Sequence, residues 1–255
     1  MDPNKRTRLI SSLGIVAFEA ILAIVLIRFV GGIDIGGNLS PRTWFSDESD
    51  WSSEQDADDQ RTGGSMVSLD LPSGLAGFTG VSSEGGWKIT LRPGDFDVSV
   101  RVSERSADDV VVDVSGNALR LRVAPGIRTV TGTLEAIVSL PRIDRLEIDG
   151  GAEVRLEGFD AERFVVDVDG AASITAIGGR YGNLRVGVDG AANVDFTDTQ
   201  VVNAEVDMDG ASNLSITMAG GTLTGHLRGV GNVSYGGEVT NEAIRVEGLG
   251  RVRER

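Results

Sequence analysis

Glycines 150, 170, 190, 210, 229 and 248 recur at spacings of 20, 20, 20, 19 and 19 residues, and this period restricts the chain more than any other feature. Each sits in a related string. Asp149-Gly150-Gly151-Ala152-Glu153-Val154 is followed by Asp169-Gly170-Ala171-Ala172-Ser173-Ile174, Asp189-Gly190-Ala191-Ala192-Asn193-Val194 and Asp209-Gly210-Ala211-Ser212-Asn213-Leu214. Arg228-Gly229-Val230-Gly231-Asn232-Val233 and Glu247-Gly248-Leu249-Gly250-Arg251-Val252 are looser copies. A short fixed period marks a structural unit that buries its apolar side against neighbouring copies.

Before each Asp the chain alternates: Leu146/Ile148, Val166/Val168, Val186/Val188 and Val206/Met208 are apolar, with Glu147, Asp167, Gly187 and Asp207 between them. Four residues past each glycine lies another apolar position, from Val154 to Val252. The unit is therefore strand, tight glycine turn, strand. Twenty residues leave no room for a full helix and two connections. They suit one lap of a parallel β-helix, with successive coils ~4.8 Å apart. Glycine turns the chain at a corner where φ > 0 or close approach of the next coil excludes a side chain. The leucine-rich-repeat frame is missing, and a β-propeller needs about twice the period.

Upstream, from about residue 66, the texture is also strand-like. Residues 87–91, 96–102 and 119–123 alternate apolar with polar, separated by turn signals at 92–95 and 115–117. The expected exported domain is residues 66–255, all-β, built as a parallel β-helix with repeats clearest at 146–252. Aromatics are only 5% of the chain and glycines number 35, so thin layers filled by Val, Ile, Leu and Ala are expected.

Residues 9–30 are mainly apolar, ~33 Å long as a helix, and match a bilayer core of ~30 Å. Lys5, Arg6 and Arg8 precede them, which places residues 1–8 in the cytoplasm and the bulk of the chain outside. The expectation is an uncleaved transmembrane anchor, with a cleavable signal peptide as the alternative. Glu19 lies mid-segment, where a carboxylate costs roughly 2.5–3.5 kcal/mol. It is either an intramembrane contact to a partner helix or a tolerated polar residue. Residues 31–65 lose periodicity, and 46–60 hold seven acidic residues and no basic one, the composition of a flexible, disordered spacer.

The glycine turns, Gly86-Trp87-Lys88-Ile89 followed by Gly94-Asp95-Phe96-Asp97-Val98, Val138-Ser139-Leu140-Pro141 and Val233-Ser234-Tyr235-Gly236-Gly237 together resemble the auto-transporter adhesin head domain known as the GIN domain, over residues 78–255. The resemblance implies a right-handed β-helical domain at the surface or in the periplasm of a bacterium, with no catalytic residues to carry over. Relatives often read Gly-Ser-Gly at the turn, where this chain has Gly-Ala-Ala or Gly-Ala-Ser.

A formal net charge of −14 opposes nucleic-acid binding, which needs a basic face. With no cysteine, disulfides, thiolate metal sites and cysteine nucleophiles are excluded. Asp149, Asp169, Asp189 and Asp209 should form a row at ~4.8 Å spacing. They either fan into solvent, accept turn N–H bonds or share a cation such as Ca²⁺. Asn193, Asn213 and Asn232 should stack as an amide ladder. His226, the single histidine, has no partner for a Ser-His-Asp relay and is expected to face outward. Uniform coils leave no long loops to wall a polysaccharide-cleaving groove, so no enzyme and no cofactor is expected. The expected function is a membrane-anchored, adhesin-like binding module for a protein or glycan, with self-association open. The alternatives are an envelope sensor acting through a membrane partner, or a carbohydrate-active enzyme.

Overall fold

The computed structural model describes residues 65–127 and 132–255; the expected anchor, Glu19 and nearly all of the spacer lie outside them. The described chain is all-β apart from a 3-10 turn at Glu104–Asp109. Its strands are β1 (Met66–Ser68), β2 (Gly80–Pro93), β3 (Asp97–Ser103), β4 (Val110–Ser115), β5 (Ala118–Val123), β6 (Leu134–Leu140), β7 (Arg145–Glu157), β8 (Asp160–Ala219), β9 (Thr222–Glu238) and β10 (Asn241–Glu254). All belong to one sheet, ordered β1-β3-β6-β2-β7-β8-β9-β10, with β5 beside β2 and β4 beside β5. Among the described residues no helix is long and apolar enough to cross a membrane.

From β7 onward the chain lies parallel to itself at the repeat offset. Leu146 pairs with Val166 and Gly150 with Gly170. Gly210 pairs with Gly229, and Gly229 with Gly248. The glycines carry this register through the long β8. A Cβ on Gly190 would lie 2.2 Å from the carbonyl oxygen of Gly170, and one on Gly210 would lie 2.1 Å from that of Gly190. From Gly150 to Gly248 all six have φ between 99° and 130°. Both the close approach and the positive φ exclude any other residue.

Inside the stack, aliphatic columns run along the layers. Leu146, Val166, Val186 and Val206 are buried, as are Val154, Ile174, Val194, Leu214 and Val233. The core is not purely aliphatic, however. Phe164, Tyr181 and Phe196 close it as an aromatic cluster, with Phe164–Tyr181 centroids 5.4 Å apart and Tyr181–Phe196 5.3 Å apart. Few aromatics in the sequence thus meant a few placed together, since a large ring fits only where neighbouring layers leave matching space.

Residues 66–140 depart from the expected continuation of the repeat. β2 is a full layer, but its neighbours are out of chain order. One edge pairs parallel with β7 (Val81 with Leu146), the other with β5 (Val81 with Leu119) and β6 (Ile89 with Ala136). β3 then lies antiparallel on β6, β1 antiparallel on β3, and β4 antiparallel on β5. These antiparallel strands cover the amino-terminal end of the stack.

Candidate functional site

The outward face of the strands that precede the glycine corner carries two columns of side chains. The first column is Glu84, Asp149, Asp169, Asp189 and Asp209, continued by Arg228 and Glu247. The second is Ser82, Glu147, Asp167, Gly187 and Asp207, continued by His226 and Arg245. Alternation explains both columns: an odd position just before the corner faces out while Ile148, Val168, Val188 and Met208 between them face the core. His226 is exposed and sits opposite Asp207, the slot expected from the sequence.

These columns line a shallow, open concavity of ≈ 620 Å³ that gathers eight carboxylates against Arg185 and Arg228. Gly187 interrupts the second column at mid-height, where a Cβ would come within 2.9 Å of Asp167 Oδ1. The charges are unevenly neutralised. Arg145 Nε bonds Glu147, and its Nη2 lies 2.8 Å from Asp167 Oδ2; the bond to Glu147 raises the Arg145 pKa above its usual value. Arg228 lies 3.3 Å from Asp207 and 3.6 Å from Asp209. Asp149, Asp169 and Asp189 are exposed and make no ion pair or hydrogen bond among the described residues. Of the three arrangements open from the sequence, these three thus take the solvent-facing one, without the turn N–H bonds that Asp before Gly often accepts. Among the described residues no group of three or more acidic or histidine side chains converges closely enough to hold a metal ion.

The structural glycines 150, 170, 190, 210, 229 and 248 all fall on one edge, as the spacing required. Sequence reasoning missed a seventh member. Gly85, at φ 100°, pairs with Gly150 in the layer below. The Trp87 indole N–H fastens its turn by donating to the Glu84 carbonyl at 3.0 Å. The string Glu84-Gly85-Gly86 repeats the acidic-Gly-Gly of Asp149-Gly150-Gly151, the signal that would have found it. The amide ladder forms in part: Asn232 Nδ2 donates to Asn213 Oδ1 at 3.1 Å, while Asn193 makes no such bond. A second ladder was missed, in which Asn203 Nδ2 donates to Asn183 Oδ1 at 3.3 Å while Asn203 Oδ1 accepts from the Thr222 N–H at 3.1 Å.

A single sheet whose parallel strands repeat in register, with ladders of identical residues on its outer face, defines the class of all-β repeat domains. More specifically, residues 77–239 match the family described as "Putative auto-transporter adhesin, head GIN domain", and the chain belongs to that family. Two crystal structures are similar in fold. A "putative adhesin" from Bacteroides fragilis is 15% identical, with 75% of this chain and 97% of that one covered at a TM-score of 0.57. A "putative adhesin" from Parabacteroides distasonis is 12% identical, with 76% and 98% covered at a TM-score of 0.50. No protein with a curated description matches the sequence.

Proposed function

We propose that this chain is a membrane-tethered, non-catalytic binding module of the cell envelope, whose repeats form a right-handed parallel β-helix of about 20 residues per coil. The observation that carries the reading is the unbroken in-register stacking from β7 to β10, which leaves a lateral face with fixed columns and no long loops. Such a face is preorganised and loses little entropy on docking, as a binding surface requires. Membership of an adhesin-head family supports the same role. Residues 9–30 supply the anchor with residues 1–8 in the cytoplasm, and residues 31–65 hold the domain away from the bilayer.

The partner is a protein or a glycan outside the cytoplasmic membrane. The excess of carboxylates on the face selects for a docking surface that brings positive charge, either its own or that of bound counter-ions. A second reading, an envelope sensor working through a membrane partner, rests on Glu19 in the apolar segment.

The deciding experiment immobilises the full chain in detergent or lipid discs and measures binding to glycan arrays and envelope proteins. Changing Asp169 and Asp189 together to Asn should cut binding about tenfold at low salt, with little effect at 1 M salt. Equal binding by the wild type and that variant would remove the face from the mechanism. Turnover of a polysaccharide abolished by the same change would replace the binding reading with an enzyme. Loss of function on Glu19→Leu, with export and folding intact, would favour the sensor.

A further inference from the structure

The two ends of the stack are treated differently. At the amino-terminal end β3 and β4 cover the layer formed by β6 and β5. At the other end β10 pairs only with β9, and its outer edge has no partner among the described residues. An open edge of this length is a template for another strand. In β10 it also carries the most exposed large apolar side chain described: Leu249 is 81% exposed and stands directly above Val230, itself 37% exposed.

We infer that β10 pairs antiparallel with β10 of a second copy of this chain, about a two-fold axis through Leu249. The sequence of the edge is self-complementary in that register. Leu249 meets its own equivalent. Glu247 faces Arg251 of the other copy, and Arg251 faces its Glu247, so two opposite-charge pairs form at once. Val246 and Val252 meet likewise, extending the aliphatic interior across the junction. In this register the Gly248 bend of each copy lies opposite Gly250 of the other, where neither edge carries a side chain. The unfavourable pairs, Arg245 with Arg253 and Ile244 with Glu254, fall only at the margins, where water screens the charges.

The backbone agrees with this register. The Arg255 N–H donates to the Tyr235 carbonyl at 2.8 Å, so by alternation Arg253, Arg251 and Leu249 also turn their polar groups toward β9. Gly250, Val252 and Glu254 then present theirs to the free edge. Leu249 falls at a non-hydrogen-bonded position, where opposed Cα atoms approach to about 4.5 Å and side chains are closest. The association is isologous and closes at two copies, so it caps the second end and does not propagate into fibres. This inference rests on the pairing of β10 and holds whatever docks on the acidic face.

The chain contains no cysteine, so one introduced thiol reports on one position. Leu249→Cys in the otherwise natural full chain should give a disulfide-linked species of twice the chain mass under a mild oxidant. Asp95→Cys, exposed at the covered end, should not. Glu247→Arg added to Leu249→Cys should reduce cross-linking roughly tenfold, and adding Arg251→Glu to that variant should restore it, as two exchanged ion pairs of ~0.5–1 kcal/mol require. Cross-linking of Leu249→Cys no stronger than that of Asp95→Cys overturns the dimer. Strong cross-linking that the charge exchange neither weakens nor restores overturns the register. Because Leu249 is solvent-exposed, its replacement leaves the fold intact, and unchanged circular dichroism will confirm it.

Discussion

In residues 145–254 each strand lies beside the segment 19 or 20 positions away, whereas between 66 and 140 β2 pairs parallel with segments 38, 47 and 65 positions away and β1, β3 and β4 pair antiparallel. Both regions bury the same kind of side chain: Leu91 and Leu119 are as covered as Val166 and Val206. What differs is the source of register. In the repeats it is set locally, by a glycine that no other residue can replace beneath the next layer. In the covering region it is set by loop closure and by turns such as Ser115-Gly116-Asn117, through which β4 and β5 form a hairpin. Layers that repeat in sequence extend the stack, and the layer that does not repeat ends it.

The largest test of this difference compares two glycines. Gly190→Val forces a side chain against the Gly170 backbone, 2.2 Å from its oxygen, at φ 130°. Neither backbone can give without breaking the pairing above and below, so the loss should exceed ~4 kcal/mol and leave little folded protein. Gly116→Ala also sits at positive φ, 62°, but nothing lies within 4 Å of its Cβ. Its cost should be only the ~1–2 kcal/mol of a left-handed alanine. Urea midpoints of the two variants measure the contrast, and equal losses would mean that the glycine edge does not hold the repeats in register.

The same contrast explains what the sequence disclosed. The column from Gly150 to Gly248 and the outward carboxylates were legible because their partners recur within a period short enough to see. Gly85 was not, because its partner Gly150 is 65 residues away. For β3, β4 and β6, alternation revealed strands but is silent on direction, since period two is common to parallel and antiparallel pairing. The role of Arg228 was equally hidden. It occupies the column of Asp209 and reads as a degenerate copy, yet it neutralises Asp207 and Asp209 from the layer above. Ion pairs between layers follow from stacking, which a linear reading reaches only after the register is known.

A second test concerns the aromatic cluster of Phe164, Tyr181 and Phe196 within the repeats. Phe164 is fully buried, and Phe164→Ala should cost ~3–5 kcal/mol. Tyr181 behaves differently. Its hydroxyl is buried without a hydrogen-bond partner among the described residues, and burial, with a smaller contribution from Asp160, pushes its pKa above the ordinary value of 10. A folded-state pKa raised above the unfolded one gives no pH dependence below about pH 10. Above it the unfolded chain loses the proton first, so stability falls as pH rises toward the folded value. Tyr181→Phe should reduce that alkaline slope, leaving the part due to Tyr235, whose hydrogen bond to Glu242 also raises its pKa, and, by removing an unsatisfied group, change stability at pH 7 by no more than ~1 kcal/mol, toward greater stability. A loss of several kcal/mol at pH 7 would show that the hydroxyl has a partner.

The smallest effect should come from the surface charges, where the two regions part once more. Arg228 links layers, while Arg122 joins Asp113 within the β4–β5 hairpin. All these groups are at least partly exposed, Arg122 the least, so water screens them and each arginine is worth about 1 kcal/mol. Arg228→Ala nevertheless leaves Asp207 and Asp209 beside the unpaired Asp189, and their repulsion adds to the lost attraction. Its deficit should be greatest at low ionic strength and nearly vanish by 1 M salt, where charges more than ~3 Å apart no longer interact. Arg122→Ala removes one local pair from a region with no such column, so its smaller deficit should vary less with salt. Denaturation midpoints at 20 mM and 1 M sodium chloride distinguish the two. Parallel salt responses would show that the carboxylate columns do not act on one another across the layers.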